Sequence, residues 1–166
     1  MSDLTRRALD QLTAAIRVLI VILAILMLVA LSLQVVMRLF FNQALSWSEE
    51  LALGCFSWVM LLAIAVGVRD AIHVRMDLLV DLLPKPLQRV MDVLVSLSVA
   101  GLGLFVTWAG VRYVMDSLGT TSAAIGYPIA FLYACAPTGG ALIAIYALER
   151  AVLGPAPAAR PVVDQE

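Results

Sequence analysis

The sequence predicts an all-α integral membrane protein with four transmembrane helices and both termini cytoplasmic. Three observations predict it. First, 63% of the 166 residues are apolar and 14% charged, where a soluble domain has about 45–50% and about 25%. Second, four stretches carry no Lys, Arg, Asp or Glu: 18–37, 51–68, 93–111 and 117–148. At 1.5 Å of rise per residue, a helix of about 20 residues spans the hydrocarbon core of a bilayer, roughly 30 Å. Third, the 11 basic residues are unevenly placed. Arg6, Arg7, Arg17, Arg69, Arg75, Lys85, Arg89, Arg150 and Arg160 flank one side of the spans and only Arg38 and Arg112 the other, so the first side is expected inside. The aromatics Phe40, Phe41, Trp47, Trp108, Tyr113, Tyr127 and Phe131 gather at the expected outer interface.

Span one is expected over about 18–37, closed by Arg38. It is longer than the apolar core of a signal peptide and ends in no evident cleavage site, so it reads as a retained helix. Span two follows Glu49 and Glu50 and runs over about 51–68, where Arg69 and Asp70 stop it. Span three covers about 93–111. The fourth window is trimmed to about 129–148, because Gly119, Thr120, Thr121, Ser122, Gly126 and Pro128 read as a loop. Residues 1–153 are thus expected to form one compact four-helix membrane domain. The Pro- and Ala-rich residues 154–166 read as a solvated tail.

Two amphipathic segments accompany the spans. Leu4, Ala8, Leu9, Leu12, Ala15 and Ile16 recur at helical spacing against Arg6, Arg7, Asp10, Gln11 and Arg17, which predicts an interfacial helix over 3–17 leading into span one. Leu78, Leu79, Leu82 and Leu83 form one apolar face after Asp77, predicting a short cytoplasmic surface helix that Pro84-Lys85-Pro86 ends. Pro86 then suits the first turn of a helix running to about Met115, roughly 45 Å long.

None of the four trimmed spans contains Asp, Glu, Lys, Arg or His. Ion sites and proton relays in membranes are marked by such groups, because burying them is costly. The chain is therefore not expected to carry a transport pathway by itself. Pro137 is expected to kink span four, with Gly139 and Gly140, like Gly101 and Gly103 in span three, letting a neighbour pack closely. Uncharged backbone freed by Pro137 beside Thr138 is the alternative, a coordinating break. Cys55 and Cys135 read as small apolar packers, and no metal or redox spacing is present. With a formal net charge of -1 the chain offers no basic field for nucleic acid.

Polar residues concentrate at span ends. Trp47-Ser48-Glu49-Glu50 opens span two, where acidic charge complements a helix N-terminus and Ser46 or Ser48 can cap it; a partner docking site is the other reading. Arg69, His73 and Asp77 are spaced i, i+4, i+8 and would share a face if the helix continues. His73 is the only histidine. It reads as a hydrogen-bonded surface group, since a metal or haem role would need ligands from another chain. No catalytic, metal, substrate or cofactor site is expected. The outer loops, 38–50 and 112–128, offer Arg38, Arg112 and Asp116 as charges.

The order Trp47-Ser48-Glu49-Glu50, then Gly67-Val68-Arg69-Asp70-Ala71-Ile72-His73-Val74-Arg75-Met76-Asp77-Leu78-Leu79, then Leu83-Pro84, resembles the small membrane subunit of tripartite ATP-independent periplasmic (TRAP) transporters. Thr121-Ser122-Ala123-Ala124-Ile125-Gly126-Tyr127-Pro128 and Pro137-Thr138-Gly139-Gly140 extend the resemblance across about 18–150. It implies a bacterial inner-membrane protein that pairs with a larger multi-helix subunit holding the sodium and substrate sites. A periplasmic binding protein would deliver an organic acid, and the small subunit would be the static scaffold of an elevator. Trp47, Glu49, Glu50, Arg69, His73, Asp77, Pro137, Gly139 and Gly140 are then candidates for subunit contacts or structure, and Arg38, Arg112 and Asp116 for docking the binding protein. Two alternatives remain: a membrane anchor of a respiratory oxidoreductase, and the small subunit of a tripartite tricarboxylate transporter.

Overall fold

The computed structural model describes residues 2–43, 45–70 and 85–153. They form helices α1 (Ser2–Phe41), α2 (Ser46–Arg69), α3 (Lys85–Asp116), α4 (Ala130–Tyr133) and α5 (Cys135–Leu153). Four helical segments, α1, α2, α3 and α4 with α5, are long and apolar enough to cross a membrane. The first three expected spans each lie within one of them, and the fourth, 129–148, begins one residue before its segment. The expected surface helix around 78–83, His73, Asp77 and the tail from 154 lie outside the described residues.

No break separates residues 3–17 from span one, because α1 is one helix of 40 residues. At 1.5 Å per residue that is about 60 Å, twice the hydrocarbon thickness, so its N-terminal turns extend beyond the span. The buried face of this part is also not the purely apolar one the pattern predicts. Leu12, Ala8 and Ala15 are exposed, whereas Thr13 and Ile16 are buried and Leu9 packs against the core. A threonine takes the central place because its hydroxyl meets polar groups of other helices there.

The helices stand in a row, α1 against α2, α2 against α5, and α5 against α3. The middle helices α2 and α5 bury far more of their length than α1 and α3, whose outer faces show Val21, Ile25, Leu28, Leu102 and Phe105. The core joins Ile16 of α1, Leu62, Ala65, Val66 and Val68 of α2, Ala100 of α3, and Ile143, Tyr146 and Ala147 of α5.

Small residues set the closeness of the middle packing. A Cβ on Gly103 would come within 2.7 Å of the Ala144 backbone nitrogen, and one on Gly140 within 2.8 Å of the Gly103 oxygen and of the Thr107 nitrogen. Backbone therefore meets backbone along the α3–α5 seam, the arrangement small residues permit inside membranes. Gly139 does the same towards α2, 2.8 Å from the Leu61 Cβ. Gly101 does not share this role: nothing lies within 4 Å of a Cβ built there. Two residues along a helix turn through about 200°, so Gly101 and Gly103 face opposite ways.

Pro137 falls in the first turn of α5, where a missing N–H costs little. Ala134, between α4 and α5, keeps helical dihedrals (φ -61°, ψ -17°), and its N–H bonds the Ala130 carbonyl at 2.9 Å, so α4 and α5 run on as one span with Pro137 interrupting its hydrogen bonding. Thr138 Oγ1 donates to the Ala134 and Cys135 carbonyls at 2.8 and 3.0 Å beside the proline.

Candidate functional site: polar clamps at the two ends of the row

At one end lie the start of α1 and the C-termini of α2 and α5. Arg69, the last residue of α2, is the hub. Its Nη2 donates to Asp10 Oδ1 at 2.6 Å, its Nη1 to Thr13 Oγ1 at 2.6 Å, and its Nε to Glu149 Oε2 at 3.3 Å. Its guanidinium carbon lies 5.5 Å from the centre of the Tyr146 ring, close enough for a cation–π contact. Thr13 gives its own proton to the Leu9 carbonyl at 2.8 Å, so at the 2.9 Å contact with Tyr146 it is the phenol that donates. One arginine thus ties α1, α2 and α5 together.

These contacts differ in strength. The Arg69 and Glu149 side chains are 9% and 11% exposed, whereas Asp10 is 68% exposed. Removing one member of a buried pair costs about 3–5 kcal/mol, while exposed pairs contribute roughly 0–1 kcal/mol. Arg69–Glu149 and the Thr13–Tyr146 bond hold the clamp, and Asp10 adds little. Arg17 Nη2 reaches both Asp70 oxygens at 2.8 and 2.7 Å, but this pair is solvated.

The other end holds the end of α1, the start of α2, the end of α3 and the 117–129 connection. Neither Ser46 nor Ser48 caps α2. The N-cap is Leu45, and Ser48, fully buried, turns its Oγ back to the Leu45 carbonyl at 2.7 Å. Glu49 accepts from Gln34 Nε2 of α1 at 2.6 Å. Glu50 receives the Ser122 hydroxyl and the Ile125 backbone N–H, the latter at 3.2 Å. The 117–129 segment doubles back on itself through an antiparallel bridge between Thr121 and Pro128, with positive φ at Gly119 and Gly126 that glycine adopts without strain. Glu50 therefore fastens this loop to α2. Burial, and then the Glu50 charge, push the Tyr127 phenol above its usual value.

Of the sequence candidates, Trp47, Glu49 and Glu50 lie together at this end at the start of α2, while Arg38 lies at the end of α1 and Arg112 and Asp116 at the end of α3, on opposite edges of the row; Arg69 stands at the other end. Arg38 and Asp116 are exposed, and Arg112 lies 5.2 Å from the Trp108 ring centre. Pro137, Gly139 and Gly140 are packing residues of the seam. The sequence reading missed Thr13, Tyr146 and Glu149. The spacing of Asp10, Thr13 and Arg17, i, i+3 and i+7, was the available signal, since it sets three polar groups on one helical face.

Between α1, α2 and α4 runs an apolar groove of about 810 Å³ lined by Leu23, Leu26, Cys55, Trp58 and Phe131, among others. Trp58 and Phe131 rings lie 5.8 Å apart, and the buried Trp58 Nε1 has no hydrogen-bond partner among the described residues. Among those residues no three His, Cys, Asp or Glu side chains meet as a metal site.

These features define a polytopic membrane protein whose polar residues join helices at the ends of its spans. Residues 27–154 match the family described as tripartite ATP-independent periplasmic transporters, DctQ component, and the chain belongs to that family. It is a multi-pass protein of the bacterial inner membrane.

Three relatives give the range of similarity. A C4-dicarboxylate TRAP transporter small permease protein of Pseudomonas aeruginosa is 42% identical over 59 residues, 36% of this chain and 28% of that protein. An ectoine TRAP transporter small permease protein of Halomonas elongata is 24% identical over 147 residues, 87% of this chain and 76% of that protein. A sialic acid TRAP transporter permease protein of Haemophilus influenzae is 35% identical over 95 residues, 54% of this chain but only 15% of the relative. The matches favour neither the oxidoreductase anchor nor the tricarboxylate transporter.

Proposed function

We propose that this chain is the small permease subunit of a TRAP transporter and acts as the static scaffold for a larger, sodium-coupled elevator subunit. The observation that carries this reading is that the four trimmed spans contain no Asp, Glu, Lys, Arg or His, while polar groups at both ends tie neighbouring elements together. An elevator needs a part that stays still while another moves. Ion and proton pathways inside a membrane are normally marked by charged groups, which these trimmed spans lack. The Haemophilus influenzae relative supports a large membrane partner, since the matched unit is a small fraction of a longer permease protein.

In this reading the Arg69 end is cytoplasmic, as the basic residues flanking it argue, and the Glu50 end faces the periplasm. Arg38, Arg112 and Asp116 then meet a substrate-binding protein, and Trp47, Glu49, Glu50, Arg69, His73 and Asp77 serve subunit contacts or the clamps behind them. The relatives named for a C4-dicarboxylate and for sialic acid support organic acids as the substrate class. The chain itself performs no catalysis.

The test is a mild-detergent pull-down from native membranes, with mass spectrometry and an absorbance scan of the same sample. Recovery of a larger multi-helix membrane protein without a cofactor band is expected. Recovery of flavin or iron–sulfur subunits with a haem band would overturn the proposal.

A further inference from the structure

Arg17, Arg69 and Arg150 share the Arg69 end with Asp10, Asp70 and Glu149, but the acids are unevenly shared. Arg69 holds Asp10 and Glu149, and Arg17 holds Asp70. Arg150 holds none. Its Nε and Nη1 are buried with no hydrogen-bond partner among the described residues, and the whole residue is 9% exposed. An arginine in the last turn of a helix commonly meets the free terminal carbonyls, but the buried nitrogens of Arg150 do not.

A guanidinium cannot escape this by losing its proton, since arginine stays charged in proteins. Leaving its donors unmatched is costly, more so than for neutral groups. The missing group is therefore an anion with acceptor oxygens that fit a planar fork. Depth identifies it. The segment Ala130–Val152 has 23 residues, about 35 Å of helix against roughly 30 Å of hydrocarbon. Arg150, near its end, stands at the level of the headgroups, where phosphate surrounds the protein. Nε and Nη1 are closed off and only a small part of the rest of the residue is open, so the anion must approach the guanidinium from that side on a slender stem, with the fork turning out to meet it. Among the described residues no acid pairs with Arg150, so its own charge is uncompensated where it stands, which favours a lipid of net negative charge.

We infer that Arg150 is the binding site for the phosphate of an anionic phospholipid at the membrane surface where α5 ends. The inference rests on the membrane reading alone, not on the transporter role. A bound phosphate would neutralise the buried cation and fix the end of α5 beside the Arg69 clamp.

The test uses the whole chain with whatever membrane partner co-purifies, exchanged into phosphatidylcholine nanodiscs containing increasing phosphatidylglycerol. Native mass spectrometry counts retained phosphatidylglycerol. The wild type is expected to retain one that Arg150→Gln binds about tenfold more weakly, with Arg150→Lys between them and Arg38→Gln, at the other end, unchanged. Equal retention by wild type and Arg150→Gln overturns the inference. So does inorganic phosphate in pure phosphatidylcholine if it raises the melting temperature as much as phosphatidylglycerol does, because the source is then free phosphate. Loss of the co-purifying subunit from Arg150→Gln with unchanged lipid retention also overturns it, assigning Arg150 to a protein carboxylate. If Arg150→Gln does not fold, Arg150→Lys decides: phosphatidylglycerol should raise its melting temperature less than the wild type's, and an equal rise refutes the site.

Discussion

Replacing Gly140 by alanine tests the close α3–α5 seam directly. The added Cβ would lie 2.8 Å from each of three atoms: the Gly103 carbonyl oxygen, the Thr107 nitrogen and Thr107 Oγ1. Two of these are backbone, and the third is held by its own bond to the Gly103 carbonyl at 2.8 Å. None can rotate away, so the helices must separate. Overpacking of this kind costs about 1–3 kcal/mol; with three rigid contacts, about 2 kcal/mol is expected, roughly a 30-fold fall in the folded-to-unfolded ratio. Gly101→Ala is the control. It meets nothing within 4 Å and should gain up to about 1 kcal/mol from helix propensity. The assay is denaturant-driven unfolding of the chain in micelles, followed by tryptophan fluorescence. Equal stabilities of the two variants would refute the seam.

Other perturbations separate the two clamps and the groove. Arg69→Met leaves the Glu149 carboxylate buried without its partner and should cost about 3–5 kcal/mol; Arg69→Met with Glu149→Gln should recover part of this in the same unfolding assay. Glu50→Gln weakens the bonds to Ser122 and Ile125 and should cost about 1–3 kcal/mol. It should also speed proteolysis within 117–129, and adding Ser122→Ala should increase the effect by less than its own single-variant loss. With its pKa raised in the folded state, Tyr127 contributes stability that is intact below about pH 10, the unfolded phenol range, and lost as pH rises through the folded value. Ultraviolet titration should include a phenol above the ordinary range whose titration shifts downward in Glu50→Gln. Trp58→Phe removes a buried unpaired N–H, so stability should hold or rise; a loss of more than about 1 kcal/mol would mean that the indole nitrogen is engaged.

The spans were legible because the bilayer imposes a length and an apolarity that uncharged stretches display directly. The start of α3 was legible from Pro86, whose missing N–H suits a first turn. The close seam was legible as glycines, yet which glycine faced the neighbour was not: Gly101 and Gly103 differ only in angular position, which depends on where α5 lies. The Arg69 hub was hidden for a related reason. Tyr146 and Glu149 lie about 80 and more residues from their partners Arg69 and Thr13, and a tyrosine in an apolar run reads as an ordinary span residue until a hydroxyl is found opposite it. Ser48 misled because a serine near a helix start can serve as a cap or, as here, return its hydroxyl to a carbonyl three residues back.

The central claim is that this chain braces a transporter without touching the ion. Reconstitute the complex into liposomes with wild-type chain, Glu50→Gln or Arg69→Met, and measure uptake against sodium, normalised to the amount of intact complex. The account predicts less complex in both variants and the same sodium half-saturation for the complex that remains. A shifted sodium half-saturation at unchanged complex yield would contradict it.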